Sequence, residues 1–385
     1  VGDLATTIDA LSIAVSARVP VLLWGPPGTG KTSVVRSLAA SLNWPCETVI
    51  ASIREPSDFA GLPIINDGRA PGGDGSAGAP GAQATTSTYA HVDLAPPRWA
   101  RRLAAAGSGL LFLDEISTAP PAVQAALLRV VLERTVGDLP LPDGVAVVAA
   151  GNPPEQAADG WDLSPPLANR FCHLDWAVDT RAVAAGFVSG FPPVQVRPLD
   201  PSWETVGCAA ASGFVAGFLV ARPGLTCAVP VEVSSSGRGW PSPRSWEMAA
   251  RLTAAWRASG AGREARAALV TGCVGEGAGL EFLAWLDELD LPDPEIVLAD
   301  PQSFVVPARP DRALAALHAV TAVVIASPSP ERWQAGWAVL VKAAEVVPDV
   351  AAVSARTLAK HRPDGAPVPA EVSVFAPLLR EAGLV

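Results

Sequence analysis

One stretch, Gly25-Pro26-Pro27-Gly28-Thr29-Gly30-Lys31-Thr32, limits the folds open to this chain more than any other. It fits the pattern G-x-x-x-x-G-K-[ST] without a mismatch and is entered from a branched apolar run, Val19 to Trp24, that reads as a buried strand. A helix-compatible run, Ser33 to Leu42, follows directly. Glycines let successive backbone N–H groups turn inward around a polyphosphate, where side chains would collide. The helix that starts there adds the partial positive charge of its N-terminus. In that setting Gly25, Pro26, Pro27, Gly28, Thr29 and Gly30 form a phosphate cradle, Lys31 reaches the β- and γ-phosphates, and the Thr32 hydroxyl ligates Mg²⁺. A chance glycine turn does not bring all of these together. The stretch predicts a nucleoside triphosphate site in an α/β core and leaves the use of the nucleotide open.

A second apolar strand, Gly109 to Leu113, ends in Asp114 and Glu115. Acidic pairs are common at exposed strand ends, but this one follows consecutive large apolar residues in a chain that already has a phosphate loop. It reads as the hydrolytic half of the site, with Asp114 holding Mg²⁺ directly or through water and Glu115 orienting and deprotonating the attacking water. A third run, Val145 to Ala150, ends at Gly151-Asn152-Pro153, where Asn152 is placed to hydrogen-bond that water or the γ-phosphate. By itself Asn-Pro is only a turn signal.

Around these strands, Leu4, Ile8, Leu11 and Val15 predict an opening amphipathic helix, Cys46–Ala51 a strand, Pro121–Glu133 a helix and Thr135–Asp143 a short hairpin. The Gly-, Ala-, Ser- and Thr-rich segment Asn66–Thr88 reads as a mobile loop or the tip of a long hairpin. Beyond about Val178 the alternation of strand and helix stops. Helices are expected at about 203–221, 242–259, 263–274, 277–289, 310–326, 330–346, 350–361 and 371–382. The expected architecture is α/β: a P-loop core of parallel sheet flanked by helices over residues 1–178, with an insert at about 61–96. An all-helical lid over 179–300 and a C-terminal helical extension over 301–385 follow.

Composition removes other classes. A hydrophobic content of 49% against 17% charged residues describes a well-buried globular protein rather than a disordered one. The net charge of −10 argues against broad nucleic-acid binding, which needs a basic footprint. Cys46, Cys172, Cys208, Cys227 and Cys273 show no ligand spacing and suit reduced thiols of a cytoplasmic protein. Asp3 and Asp9 interrupt any apolar N-terminal segment, so no signal peptide is expected. The uncharged run Thr205–Ala221 is too short for a membrane span and is expected to be a buried helix.

With these residues in hand, the chain resembles the AAA+ ATPases, and among them the MoxR type, well over residues 5–178 and thinly to about 260. GPPGTGKT at 25–32 is similar to the Walker A motif, LLFLDE at 110–115 to Walker B, and AAGNPP at 149–154 to the sensor-1 strand end that assigns Asn152. DEISTAPPAVQAALLRVVLE at 114–133 resembles the MoxR run of acidic pair, linker and helix. ANRF at 168–171 sits where the family has an arginine finger, which assigns Arg170, although Asn169 stands where the family more often has Asp. PSPRSWEMAARL at 241–252 resembles the sensor-2 helix, from which Arg244 would reach the γ-phosphate out of the lid. In such proteins a β-hairpin occupies the place of residues 61–96. The resemblance implies an ATPase using ATP and Mg²⁺, a homo-oligomeric ring, hexameric by analogy, and chaperone-like maturation of a client complex, commonly with a von Willebrand factor A-domain protein. Two other readings stay open: a nucleotide-gated assembly switch with little turnover, and a nucleic-acid motor.

Overall fold

A computed structural model describes residues 3–66, 91–153, 161–230 and 236–377. Its strands are β1 (Val21–Trp24), β2 (Cys46–Ile50), β3 (Leu62–Asn66), β4 (His91–Ala95), β5 (Ser108–Asp114), β6 (Thr135–Val136), β7 (Leu139–Pro140), β8 (Gly144–Gly151) and β9 (Cys172–Asp175). Five of them form a parallel sheet in the order β2-β5-β8-β1-β9. Both faces of this sheet are covered, which is why its strands are continuous apolar runs rather than alternating ones. Successive β1 residues point to opposite faces. Val21 and Leu23 join the core that holds helices α1 (Leu4–Ser16) and α2 (Lys31–Ser41). Leu22 and Trp24 join a second core with Phe59, Trp99 and Leu127. Those three belong to α3 (Ser57–Ala60), α4 (Arg98–Ala106) and α5 (Pro121–Leu132).

The insert expected at 61–96 begins and ends as a hairpin: β3 and β4 pair antiparallel, Leu62 opposite Ala95 and Asn66 opposite His91. The rest of the segment read as mobile, residues 67–90, lies outside the described residues.

After β9 the chain is helical. α6 (Pro165–Ala168) precedes β9, and α7 (Thr180–Ser189) and α8 (Val206–Ala221) follow it. Helices Pro243–Ser259, Arg263–Val274, Glu276–Leu289, Pro310–Ala326, Pro330–Ala344 and Pro348–Lys360 fall where the periodicity puts them. α7 and Pro294–Ala299 were not expected. Ala370–Phe375 is a 3₁₀ helix where an α-helix was expected, and residues 378–385 lie outside the described residues. The uncharged α8 is buried through Phe214, Val215 and Phe218, and no helix among the described residues is long and apolar enough to cross a membrane. Its apolar surface is consumed by close packing on helix Pro310–Ala326. A methyl group added at Gly213 would lie 2.4 Å from the Ala319 Cα, and one at Gly217 2.8 Å from the Ala315 Cα. Trp246 and Trp285 join Phe218 and Phe282 in one aromatic cluster with centroids 5.2–6.4 Å apart, so these tryptophans pack the interior.

Helix Arg263–Val274 lies directly on β9. A methyl at Gly272 would be 2.3 Å from the His173 carbonyl oxygen, and the Cys172 thiol donates to the Leu269 carbonyl at 3.4 Å. Through this contact the apolar core runs without a break from the sheet to Phe375.

Candidate nucleotide-hydrolysis site

The phosphate loop leaves β1 at its C-terminal end. Gly28 and Gly30 have φ of 74° and 92°, the left-handed region that glycine enters without steric cost, and Gly30 is the N-cap of α2. Lys31 is buried and folds back over the loop, its Nζ donating to the carbonyls of Gly25 at 2.6 Å and Pro26 at 2.8 Å. Burial holds its ammonium below the ordinary lysine range, opposed by the nearby Asp114 carboxylate. A desolvated cation beside exposed loop amides is chemistry that an anionic phosphate completes. The Trp176 Nε1–H, from the residue after β9, donates to the Thr29 carbonyl at 3.2 Å and braces the loop from the side.

The sheet order explains how distant residues converge here. β8 lies between β1 and β5, with Trp24 opposite Gly151 and Leu113 opposite Ala149. The strand ends therefore bring Gly25, Asp114 and Asn152 to one edge. The Thr32 Oγ1–H donates to Asp114 Oδ2 at 3.0 Å. These two oxygens suit Mg²⁺, and Thr32 and Asp114 would hold it, Asp114 directly or through water. Glu115 has a φ of 56° and ψ of 39°, a left-handed conformation that is uncommon for a residue with a side chain. Its Oε2 accepts from the Ser52 hydroxyl at 2.6 Å. The Asn152 N–H donates to Ser117 Oγ at 3.1 Å, which ties the β8 end to the turn after β5.

Pro27 to Ser33, Asp114, Glu115, Ala150, Gly151 and Asn152 together line a cavity of about 320 Å³. A larger one, about 530 Å³, is built from Trp337, Val341, Lys342, Pro367 and other C-terminal residues, and holds none of this phosphate-binding chemistry. Residues 20–171 match the model of the AAA domain, dynein-related subfamily.

The core has the P-loop NTPase fold.

Solved structures similar to the chain include a candidate ATPase of Cytophaga hutchinsonii, 19% identical, covering 70% of this chain and 80% of that one with a TM-score of 0.43. NtrX of Brucella abortus is 17% identical, covering 54% and 46%, with a TM-score of 0.28. A full-length MCM homolog of Methanopyrus kandleri is 16% identical, covering 73% and 54%, with a TM-score of 0.32. No curated protein sequence matches the chain.

The two arginines singled out from the sequence do not line this cavity. Arg170 precedes β9, whose first residue Cys172 pairs with Val21 at the start of β1. The phosphate loop leaves the other end of β1, so a strand of four residues, about 13 Å, separates them. Its guanidinium donates to the Pro166 carbonyl, and its Nε is buried without a hydrogen-bond partner. Arg244, expected to reach the γ-phosphate out of the lid, does not line the cavity of its own chain. Ser242, the N-cap of helix Pro243–Ser259, accepts from the Asn169 side-chain amide at 2.8 Å, which seats the helix start at the Arg170 end of the sheet. Arg244 therefore stands near Arg170. Burial and then the Arg244 charge hold the Arg170 guanidinium below the ordinary arginine value. Neither arginine has a carboxylate partner among the described residues.

Sequence reading missed Ser52, Ser117, Trp176 and His173. The signal for Ser52 was positional, because β2 ends with Ile50 opposite Asp114 and two further residues reach Glu115. His173 is buried, and burial pushes its pKa down to about 4, so the neutral ring accepts from Trp24 Nε1–H at 2.8 Å and donates to the Ala168 carbonyl at 2.9 Å. It links the strand that carries the phosphate loop to the turn before Arg170.

Lys31→Ala is expected to weaken ATP binding about 30- to 150-fold, because one lost charge-assisted hydrogen bond costs about 2–3 kcal/mol. Titration with a fluorescent ATP analogue measures this, and unchanged affinity would refute the assignment of the loop.

Proposed function

We propose that this chain is an ATPase of the MoxR type that hydrolyses ATP at sites shared between neighbouring copies in a ring, hexameric by analogy, and uses the cycle to remodel or mature a partner protein complex. The observation that carries this reading is the separation of the two halves of the chemistry. The cavity holds the phosphate loop, Asp114, Glu115 and Asn152, whereas Arg170 and Arg244 lie at the opposite sheet edge without carboxylate partners among the described residues. In a head-to-tail arrangement a neighbour's arginine edge faces the cavity.

In this reading Lys31 and the loop amides bind and orient the triphosphate. Thr32 and Asp114 would hold Mg²⁺, which would supply charge neutralisation at the phosphates. Glu115 takes the proton from the attacking water, Asn152 positions that water, and Arg170 of the next copy stabilises the charge that develops on the transferred group. Arg244, beside it, adds a second cation on the same side. The client in this reading is a von Willebrand factor A-domain protein, by analogy with the MoxR type. A protein trapped with ATP is the bait that identifies it in a pull-down.

A shared site makes turnover depend on assembly. Phosphate released per chain is expected to rise with protein concentration until assembly saturates. A specific activity that stays constant from nanomolar to micromolar protein, with assembly occurring in that range, overturns the shared site. Binding without turnover at any concentration favours the assembly-switch reading instead.

A further inference from the structure

We propose that His173 is a positioning residue for the shared site, holding the turn that presents Arg170 to the neighbouring copy. The proposal rests on the shared-site reading and adds to it a residue outside the cavity lining. Arg170 is the third residue of a turn that the Ala168 carbonyl closes by accepting from the Phe171 N–H at 3.1 Å. Ala168, Asn169 and Phe171 are buried, so Arg170 alone carries the turn to the surface. The His173 Nε2–H donates to that same Ala168 carbonyl at 2.9 Å. The Asn169 side-chain amide is held in turn by Ser242. The direction in which the guanidinium leaves the turn is therefore set by groups behind it, and His173 bonds the carbonyl on which the turn closes.

A neutral imidazole has one donor and one acceptor, and the bond made by one nitrogen decides which of the two carries the proton. Trp24 settles this choice. An indole N–H can only donate, so at 2.8 Å it takes Nδ1 as its acceptor and leaves the proton on Nε2, facing Ala168. The two ring planes differ by 10°, which brings the indole N–H toward the in-plane lone pair of the imidazole. Burial pushes the His173 pKa down to about 4, so the neutral ring persists through the neutral pH range. Trp24 is itself fixed. The Arg238 guanidinium lies 4.8 Å over its ring and pairs with Asp175 at 2.8 Å, and a methyl at Gly151 would lie 3.2 Å from the indole.

A histidine that only filled the core could make the same two bonds, and the difference lies in where its loss is felt. A packing defect around Trp24, the residue before the phosphate loop, damages the cavity of the chain that carries it. A loosened Arg170 turn instead leaves that cavity intact and damages the cavity of the next copy.

The test uses full-length His173→Leu, similar in volume and without polar atoms, and His173→Gln, whose amide can both accept and donate. His173→Leu is expected to bind a fluorescent ATP analogue as the wild type does. It is expected to release phosphate about 10²-fold more slowly, the scale of an ångström-sized misplacement at a reacting centre. His173→Gln is expected to recover most of that rate. Circular dichroism checks the fold, and His173→Met, with a flexible apolar side chain, replaces His173→Leu if the latter does not fold. The deciding readout is mixing. With Glu115→Gln, which brings a well-held arginine to an intact base, His173→Leu is expected to regain activity. With Arg170→Ala it is expected to stay slow, since neither chain then offers a held arginine. Recovery with Arg170→Ala places the defect in the variant's own cavity and overturns the proposal. So does turnover at the wild-type rate, or a glutamine variant as slow as the leucine one. If Arg170→Ala and Glu115→Gln do not restore each other in verified mixed assemblies, the shared-site reading falls and this proposal with it. Failure of the His173 variants alone leaves that reading in place.

Discussion

Arg170→Ala is expected to bind ATP as the wild type does and to turn it over about 10³–10⁵-fold more slowly, the range associated with loss of an arginine finger. Binding is spared because Arg170 lies at the far end of β1 from its own phosphate loop and does not line the cavity. Its side chain donates only to the Pro166 carbonyl, so truncation removes no ion pair that holds the fold among the described residues. The decisive measurement is phosphate release after mixing with a protein that keeps its arginine edge and has lost its base. Glu115→Gln is that protein. In a mixed assembly the intact cavity of one copy meets the intact arginine of the other, and part of the activity returns. No recovery, with mixed assemblies verified, places Arg170 in cis or outside the reaction.

Glu115→Gln alone is expected to lower turnover about 10²–10⁴-fold, the contribution of a positioned general base. It is also expected to hold ATP tightly. The amide has the shape of the carboxylate and can still accept from the Ser52 hydroxyl, so the left-handed turn at 115 is retained. What is lost is the capacity to take a proton. Single-turnover phosphate release measures the loss, and filter retention of labelled ATP measures the trap. Hydrolysis at the wild-type rate excludes Glu115 as the base.

The parts of this site that could be read from the sequence are those written in contiguous residues. The phosphate loop and the Asp114–Glu115 strand end each carry their chemistry within a few positions, and the helix–strand alternation around them specifies a parallel sheet. Asn152 needed one further step, the placement of β8 between β1 and β5. Ser52 and Ser117 lie in short 3₁₀ turns whose partners depend on strand register, which periodicity does not report. The surroundings of Arg244 were not legible for a related reason. Its local sequence marks a helix start, but the Asn169–Ser242 hydrogen bond decides which edge of the sheet that helix start faces. α7 and the turn after it space Val183, Phe187 and Phe191 four residues apart, a helical signal that the sequence reading did not use.

The unbroken core from the sheet to Phe375 has a mechanical consequence. Close-packed interiors are poorly compressible and transmit strain rather than absorb it. With helix Arg263–Val274 seated on β9 and Gly213 and Gly217 locking α8 to helix Pro310–Ala326, one chain behaves as a lever more than as a pair of jaws. In an assembly of such levers the compliant joints are the seams between chains. Work done on a partner would then come from one whole copy tilting against the next.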